Sequence, residues 1–240
     1  MRALAVETAT SRQSVALLEN DAVVQRRDRD AGGKHGQSLL PVIDELLERT
    51  GWALTDLDLL IVSIGPGSFT GLRVGLATMM GFRLVTGVPV VAVPTLEGMA
   101  WNLCTESGLL CPVLKARSGE VYWAIYEWIG ARLTEISPAQ VGSLRSFAES
   151  LPPSVTVFGD GWNVNRDSLL SLLDEVGQRG VHEVSGEQGE ANAVSVALAG
   201  LGKFTRGETA GQVLSPLYVQ RAEAEVKMGI QREAGRTTTV

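Results

Sequence analysis

The stretch Ser63–Gly87, SIGPGSFTGLRVGLATMMGFRLVTG, decides how the rest of the chain is organised. It begins with the last residues of a strand, turns through Gly65-Pro66-Gly67 and continues as a long helix. Ser68 or Thr70 can cap this helix, because a hydroxyl oxygen accepts hydrogen bonds from the first free amide groups. A strand that leads directly into a helix predicts an α/β fold built around this segment.

The predicted helix has two different sides. Gly71 and Gly75 lie one turn apart, so a neighbouring sheet or helix can approach closely there. The opposite side carries Arg73, Leu76, Met80, Arg83 and Leu84. A surface helix would be polar on that side, whereas this helix is largely apolar all round. We therefore expect one side to pack on the sheet and the other to pack on another protein.

Composition and charge exclude several classes of protein. At 240 residues the chain is long enough for two modest domains or one large one, and its formal net charge of −6 argues against a broad basic surface for nucleic acid. The N-terminal residues MRALAVETAT lack the apolar run of a signal peptide, and the helix over 70–87 is too short and too charged to span a membrane. We expect a cytoplasmic protein with Cys104 and Cys111 as free thiols.

The remainder of the first half predicts alternating strands and helices. Three short strands joined by tight turns fill residues 2–29, and apolar residues at helical spacing predict a helix over 38–50. Continuous apolar runs at 59–62 and 88–93 are typical of strands that are covered on both faces. Strands separated by helices imply right-handed crossovers and a partly parallel sheet.

The strand pattern of residues 3–26 recurs at 112–136, which predicts a structural duplication with low sequence identity. We expect a first domain over 1–108, a second, smaller domain over 109–228 and a disordered tail over 229–240. A late helix near 194–206 can pack back on the first domain.

Two polar loops are candidates for binding a nucleotide. The glycine-rich loop precedes a helix, whose free amide groups and dipole favour an anion, but it lacks the lysine of a P-loop. It is either a phosphate site or a structural turn, and the polar turn Glu7–Ser11 is either a phosphate or metal contact or an ordinary hairpin turn. The candidate nucleotide contacts are Thr8, Thr10, Ser11, Gly65, Gly67 and Ser68.

The sequence contains no convincing catalytic constellation. His35 and His182 are far apart, and neither has a second ligand residue at metal spacing. Asp160 lies between two glycines, which predicts a turn residue. The sequence also lacks a nucleophile elbow and a His-Glu-x-x-His run, so neither a catalytic residue nor a metal site is predicted.

Four stretches carry a resemblance to a known family. They are Ala5–Thr10 (AVETAT), Leu39–Ile43 (LLPVI), Ser63–Gly75 (SIGPGSFTGLRVG) and Ala116–Tyr122 (ARSGEVY). Together they resemble the TsaB (YeaZ) family along residues 2–130 and more loosely as far as Tyr218. The run GPGSFTGLRVG is the most specific of the four.

The resemblance implies the duplicated two-domain fold of actin, Hsp70 and the acetate and sugar kinases, with two ribonuclease H-like units and a reduced second domain. It also implies a non-catalytic subunit that binds TsaD, with the ATPase TsaE. That complex transfers a threonylcarbamoyl group to the adenosine next to the anticodon of tRNAs reading codons that begin with A. Contact with tRNA is expected through the complex rather than directly, and no membrane is involved. We expect no cofactor except ATP or ADP at the complex interface, and a homodimer when the protein is alone.

The resemblance further implies which surface binds the partner, because helices of the first domain pack against the equivalent helices of TsaD in this family. Carried over to this sequence, the expected interface residues are Arg73, Leu76, Met80 and Arg83, with Leu40, Ile43 and Leu47 from the 38–50 helix.

Four positions depart from the patterns of the related proteins. Glu7 and Lys115 stand where the family commonly has Asp. Thr95 and Met99 stand where TsaD has two metal-binding histidines, and neither side chain can replace imidazole as a ligand. The alternative function is a small-molecule kinase or ATPase of the same fold, which Lys115 disfavours. A peptidase would need a metal or nucleophile site, and none is visible.

Overall fold

The computed structural model describes residues 1–30, 32, 35–104, 106–211 and 214–219 of the chain. Within these residues the chain folds as two units, each with five strands and three helices. The tail predicted over 229–240 lies outside the described residues.

The first unit is built on a mixed sheet. Its elements are β1 (Arg2–Glu7), β2 (Arg12–Glu19), β3 (Ala22–Asp30), α1 (His35–Thr50), β4 (Leu59–Ser63), α2 (Phe69–Thr86), β5 (Val90–Val93) and α3 (Thr95–Ala100). The strand order is β3-β2-β1-β4-β5. The β1–β2 and β2–β3 pairs are antiparallel, whereas the β1–β4 and β4–β5 pairs are parallel.

The second unit repeats this arrangement. Its elements are β6 (Leu109–Lys115), β7 (Glu120–Ile129), β8 (Arg132–Ser143), α4 (Leu144–Ser150), β9 (Val155–Phe158), α5 (Asp160–Glu175), β10 (Val181–Glu183) and α6 (Ala193–Thr205). The order β10-β9-β6-β7-β8 again combines an antiparallel meander with two parallel pairs. The predicted α/β fold class and the predicted duplication are therefore confirmed.

Burial on both faces explains the apolar strands of the first sheet. In β1, Leu4 and Val6 contact a core formed with α1 and α2, while Ala3 and Ala5 contact a core formed with α6. Successive residues of a strand point to opposite faces, so a strand covered on both sides is apolar at every position. The same reasoning accounts for Leu59–Ser63, which is buried throughout.

The last helix of each unit packs on the sheet of the other unit. Val196 and Ala197 of α6 belong to the core on the first sheet, and Leu96 and Met99 of α3 belong to the core on the second. Gly200 permits the close approach of α6, because a Cβ there would collide with the side chain of Ile61. The exchange of these two helices joins the units.

Two elements of the second unit do not follow from the hydrophobic pattern. The helix α5 is polar over most of its surface, so its few buried residues give only a weak helical period. The prediction that Asp160 is a turn residue is wrong, because Asp160 is the first residue of α5 and follows Gly159. The strand β10 has only three residues, which is too short for an alternating pattern to be recognised.

Candidate functional site

A cleft of about 400 Å³ lies between the two units and receives loops from both. We call it the inter-sheet cleft. Its lining residues are Ala9, Thr10, Ser11, Gly67, Ser68, Phe69, Leu114, Lys115, Ala116, Arg117, Tyr122, Asp160 and Tyr218. A volume of this size is within the range of small-molecule sites.

The wall from the first unit is made of two loops that are bonded together. The amide of Ser68 donates to the carbonyl of Ala9 at 2.6 Å. Gly67, with φ +152°, packs against Ala9 so closely that any Cβ would overlap it. Ser68 is also the cap of α2, because its Oγ accepts the amide of Gly71 at 3.3 Å. This wall is consequently held in one arrangement by backbone contacts.

The wall from the second unit is built in the same way. Oδ1 of Asp160 accepts the amide of Lys115 at 3.0 Å, which bonds the start of α5 to the β6–β7 turn. Gly161 allows the two segments to pack, since a Cβ there would lie 2.5 Å from the carbonyl carbon of Leu114. Burial raises the pKa of Asp160, while the amides of Lys115 and Gly161 and the Lys115 charge partly offset this effect.

Four of the predicted nucleotide contacts line the cleft, namely Thr10, Ser11, Gly67 and Ser68. The other two are behind its wall. Thr8 is fully buried and donates to the carbonyl of Gly71 at 2.9 Å, and Gly65 packs against the carbonyl of Leu217.

The cleft residues that sequence reasoning did not name as contacts include Arg117, Tyr122 and Tyr218. Arg117 and Tyr122 line it, and both lie in the ARSGEVY stretch that carried part of the family resemblance. Tyr218 reaches the cleft from the end of the described chain, stacked on Phe69 with ring centroids 5.4 Å apart. No local pattern could have placed Tyr218, because its position depends on the path of the chain after α6.

Glu7 lies at the end of β1 and is fully buried. Its Oε1 accepts the amide of Ala9, whereas neither Oε2 nor the neighbouring Ser63 Oγ has a well-formed hydrogen bond to a described group. Burial raises the pKa of Glu7 to about 7, and the Ser63 hydroxyl and Ala9 amide limit this rise. A carboxyl group in this position is shielded from ligands in the cleft.

The described residues contain no group of three or more His, Cys, Asp or Glu side chains that could hold a metal ion. Thr95 and Met99 are both fully buried and pack in the interior. They do not present ligand atoms to a cavity. In the described part of the chain, no helix is both long and apolar enough to cross a membrane.

The residues expected at the partner interface occupy different environments. Arg73 is exposed and lies over the ring of Phe69, with 3.8 Å between the guanidinium carbon and the ring centroid, and Met80 is half-buried. Leu76 is only 5 % exposed and belongs to the core of the first unit, because this side of α2 faces α1 and the sheet. Arg83 is half-buried and donates hydrogen bonds to the chain beyond α6 rather than projecting into solvent.

The interface residues expected on α1 also differ in their exposure to solvent. Leu40 is 52 % exposed, whereas Ile43 and Leu47 are buried in the core. Both buried side chains still reach an apolar groove of about 460 Å³ between α1 and α2. The residues that line this groove are Leu40, Pro41, Ile43, Asp44, Leu47, Leu54 and Phe82.

The most exposed apolar side chains of α2 are not among the residues expected at the interface. They are Leu84, which is 87 % exposed, and Val85, which is 81 % exposed. Ala77 and Gly81 are exposed on the same helix. The exposed side chains of α1 and α2 include the apolar residues Leu40, Ala77, Leu84 and Val85, which we call the α1–α2 face, beside charged residues such as Asp44, Glu48 and Arg73.

Solved structures define the class of protein to which this architecture belongs. A ROK hexokinase from Thermus thermophilus is similar with a TM-score of 0.50 and 9 % identity, over 86 % of this chain and 100 % of the hexokinase chain. Component A of the (R)-2-hydroxyglutaryl-CoA dehydratase of Acidaminococcus fermentans also gives a TM-score of 0.50, with 10 % identity over 85 % of this chain and 99 % of its own. The fold is thus that of the actin-like ATPases and sugar kinases.

More similar proteins define the family. Residues 28–156 match the family model for TsaD, tRNA N6-adenosine threonylcarbamoyltransferase. The tRNA threonylcarbamoyladenosine biosynthesis protein TsaB of Escherichia coli is 33 % identical, over 72 % of this chain and 79 % of that protein. The Bacillus subtilis TsaB is 29 % identical over 95 % and 97 %. YeaZ from Pseudomonas aeruginosa has a TM-score of 0.77 and 25 % identity, over 90 % of this chain and 99 % of its own. The chain belongs to the TsaB (YeaZ) family.

Proposed function

We propose that this protein is a non-catalytic subunit that binds a TsaD-type transferase and, with a TsaE-type ATPase, supports threonylcarbamoyl transfer to tRNA. The names of the curated relatives support a role in tRNA threonylcarbamoyladenosine biosynthesis. The tRNA contacts the complex rather than this subunit by itself, and the proposed location is the cytoplasm. Any ATP or ADP lies at the junction with the partner.

The exposed apolar surface of α2 is the observation that supports partner binding most strongly. Leu84 and Val85 are almost fully in solvent, and a mainly apolar groove lies between α1 and α2. Apolar surface of this kind is typical of protein interfaces, because its burial contributes about 25 cal/mol for each Å² removed from water.

The similarity to the TsaD model favours a TsaD-type subunit as the occupant of this surface. The matched residues, 28–156, include both α1 and α2, so a TsaD-type chain is expected to carry two equivalent helices. Two related chains can pair through equivalent faces in a nearly symmetric way. A second copy of this chain would pair in the same way, which explains the expected homodimer.

Three features favour a non-catalytic role. Lys115 places a cation in the inter-sheet cleft where a carboxylate would hold a metal–nucleotide complex. Glu7 is buried behind the cleft wall, and Thr95 and Met99 are enclosed in the interior. A kinase or ATPase of the same fold is the alternative, and sustained ATP hydrolysis by the isolated protein would favour it.

The test is size-exclusion chromatography with light scattering, on the protein alone and mixed with its TsaD-type partner. We expect a dimer that is replaced by a one-to-one complex. The double variant Leu84→Glu with Val85→Glu should weaken both associations by about 2 kcal/mol or more, because charges would then be buried at the interface. Val164→Glu is the matched control, since Val164 is 66 % exposed on α5 of the other unit. Unchanged association of the folded double variant would contradict the proposed surface.

A further inference from the structure

Residues 214–219, at the end of the described chain, contact the cores of both units. Leu214 packs against the core between the first sheet and the helices α1 and α2. Val219 packs against the core that α3 forms with the second sheet. A short segment of the chain therefore crosses the junction between the two units, and we call residues 214–219 the latch.

The middle of the latch is bonded to the loop that precedes α2. The amide of Leu217 donates to the carbonyl of Ile64 at 2.7 Å. Gly65 makes this approach possible, because a Cβ on Gly65 would lie 2.8 Å from the carbonyl oxygen of Leu217. The ring of Pro216 fixes the φ angle of that residue, so less conformational freedom is lost when the latch packs in place.

An aromatic contact joins the latch to α2. The ring of Tyr218 stacks on the ring of Phe69, the first residue of α2, with centroids 5.4 Å apart and an angle of 29° between the ring planes. The guanidinium carbon of Arg73, about one turn further along α2, lies 3.8 Å from the centroid of the same Phe69 ring. Aromatic stacking and a cation–π contact both stabilise such an arrangement. The first unit thus holds the latch through its backbone and through its side chains.

The latch and the helix α6 join the units on opposite faces of the first sheet. The helix α6 covers the face of Ala3 and Ala5. Leu214 packs on the other face, which carries Leu4 and Val6. Two units that are joined on one face alone can turn about that connection, because packed helices slide and tilt at an interface. A second connection on the other face opposes this rotation.

We propose that residues 214–219 are a releasable latch that fixes the orientation of the second unit relative to the first. Leu217 is 36 % exposed and Tyr218 is 45 % exposed, so the latch can detach while the cores of the units stay folded. Because Tyr218 forms part of the lining of the inter-sheet cleft, detachment also changes the width of the cleft. The latch acts within one chain, so its role does not depend on the proposed partner.

The experiment measures the distance between spin labels on the two units of the full chain. The labels are attached at Val23→Cys on β3 and at Val164→Cys on α5, where both native side chains are exposed. Cys104→Ser removes an exposed thiol, whereas Cys111 is kept because burial raises its pKa and shields it from the label. An excess of unlabelled protein ensures that only distances within one chain are measured.

Two variants detach the latch at different points. Tyr218→Ser removes the aromatic contact, and Val219→Asp places a charge against the core of the second unit. In each variant we expect the amide of Leu217 to exchange with solvent about tenfold faster. The distribution of label distances should be one narrow peak in the parent and should broaden and shift in both variants. Ile129→Asp adds a charge at an exposed residue of β7, and as the control it should change neither measurement.

Three results would each overturn the proposal. Unchanged exchange at the amide of Leu217 would show that these contacts do not hold the latch. Faster exchange with unchanged label distances would show that the latch does not fix the orientation of the units. Equal broadening in Ile129→Asp would show that an added charge alone loosens the junction.

Discussion

The guanidinium group of Arg83, near the end of α2, donates a hydrogen bond to the carbonyl oxygen of Gly211 at 2.6 Å. A second bond runs to the carbonyl of Ala210 at 3.2 Å, across 127 positions of sequence. The amide of Ala210 in turn donates to the carbonyl of Val90, at the start of β5, at 2.8 Å. These bonds return the chain from α6 to the first unit. Arg83 therefore holds its own chain in place, although its sequence position suggested contact with a partner.

Replacement of this arginine tests the attachment. Arg83→Ala removes both bonds to the carbonyls, so we expect a loss of about 1–2 kcal/mol in the free energy of unfolding. The amide of Ala210 should also exchange faster with solvent hydrogen. Urea denaturation and hydrogen exchange measure the two effects. Arg49→Ala is the control, because Arg49 is an exposed residue of α1 whose ion pair with Glu45 lies on the surface. Equal effects of the two substitutions would show that the hydrogen bonds from Arg83 do not stabilise the folded protein.

Two glycines of α2 should respond in opposite ways to alanine. A Cβ on Gly75 would lie 2.5 Å from Oγ1 of the buried Thr8, so Gly75→Ala should destabilise the protein by about 1–3 kcal/mol. A Cβ on Gly81 meets no atom within 4 Å, so Gly81→Ala should stabilise the helix by about 0.5–1 kcal/mol. Thermal unfolding of both variants is the measurement. A destabilised Gly81→Ala variant or a neutral Gly75→Ala variant would refute the packing described for this helix.

Glu7 should make the stability depend on pH. Its pKa is raised by burial to about 7, from an ordinary value of 4.5. The folded state then holds the proton more tightly than the unfolded state does. The stabilising effect of the proton is complete below about pH 4.5 and is lost as the pH rises to about 7. The loss corresponds to about 3 kcal/mol for this group.

The substitution Glu7→Gln isolates this contribution. The free energy of unfolding of the variant should fall less than that of the parent between pH 4.5 and pH 7. The stability of the variant relative to the parent should therefore be higher at pH 8 than at pH 4.5. Urea unfolding across this pH range is the measurement. Glu48→Gln, on the exposed face of α1, is the control and should leave the slope as it is. A parallel pair of pH profiles for the parent and Glu7→Gln would show that Glu7 does not titrate in this range.

The ion pair between Glu97 and Lys203 should couple the two exchanged helices. The Lys203 ammonium lies 2.9 Å from Glu97 Oε2, and both side chains are largely shielded from solvent. A double-mutant cycle with Glu97→Gln and Lys203→Met should yield a coupling energy of about 1–2 kcal/mol. Chemical denaturation of the four proteins gives this value. The cycle for Arg145 and Glu149, an exposed pair on α4, should give a value of about 0.5 kcal/mol or less. Similar coupling energies in the two cycles would argue against a link between the units at this point.

Local sequence signals identified the main elements of the fold. The apolar run at 59–62 and the turn and helix that follow it were predicted from residues that are neighbours along the chain. Of the two predicted cap residues, Ser68 is the one that caps the helix. The sequence also predicted the loops of the cleft, because turn residues such as Gly67 are recognised from the local sequence. The helix α5 was missed because its exposed surface is polar over most of its length, which leaves little periodic signal.

The sequence by itself determined most of the strand and helix pattern, the duplication and the family resemblance, because these depend on residues that are close along the chain. Only the tertiary structure decided which side of α2 stays in solvent, so that Leu76 is enclosed and Leu84 is exposed. The tertiary structure likewise brought Tyr218 to the cleft and exchanged α3 and α6 between the sheets. Such placements arise from contacts between segments that are distant in sequence. The hydrophobic pattern of one segment shows that it is buried, but not which other segment packs against it.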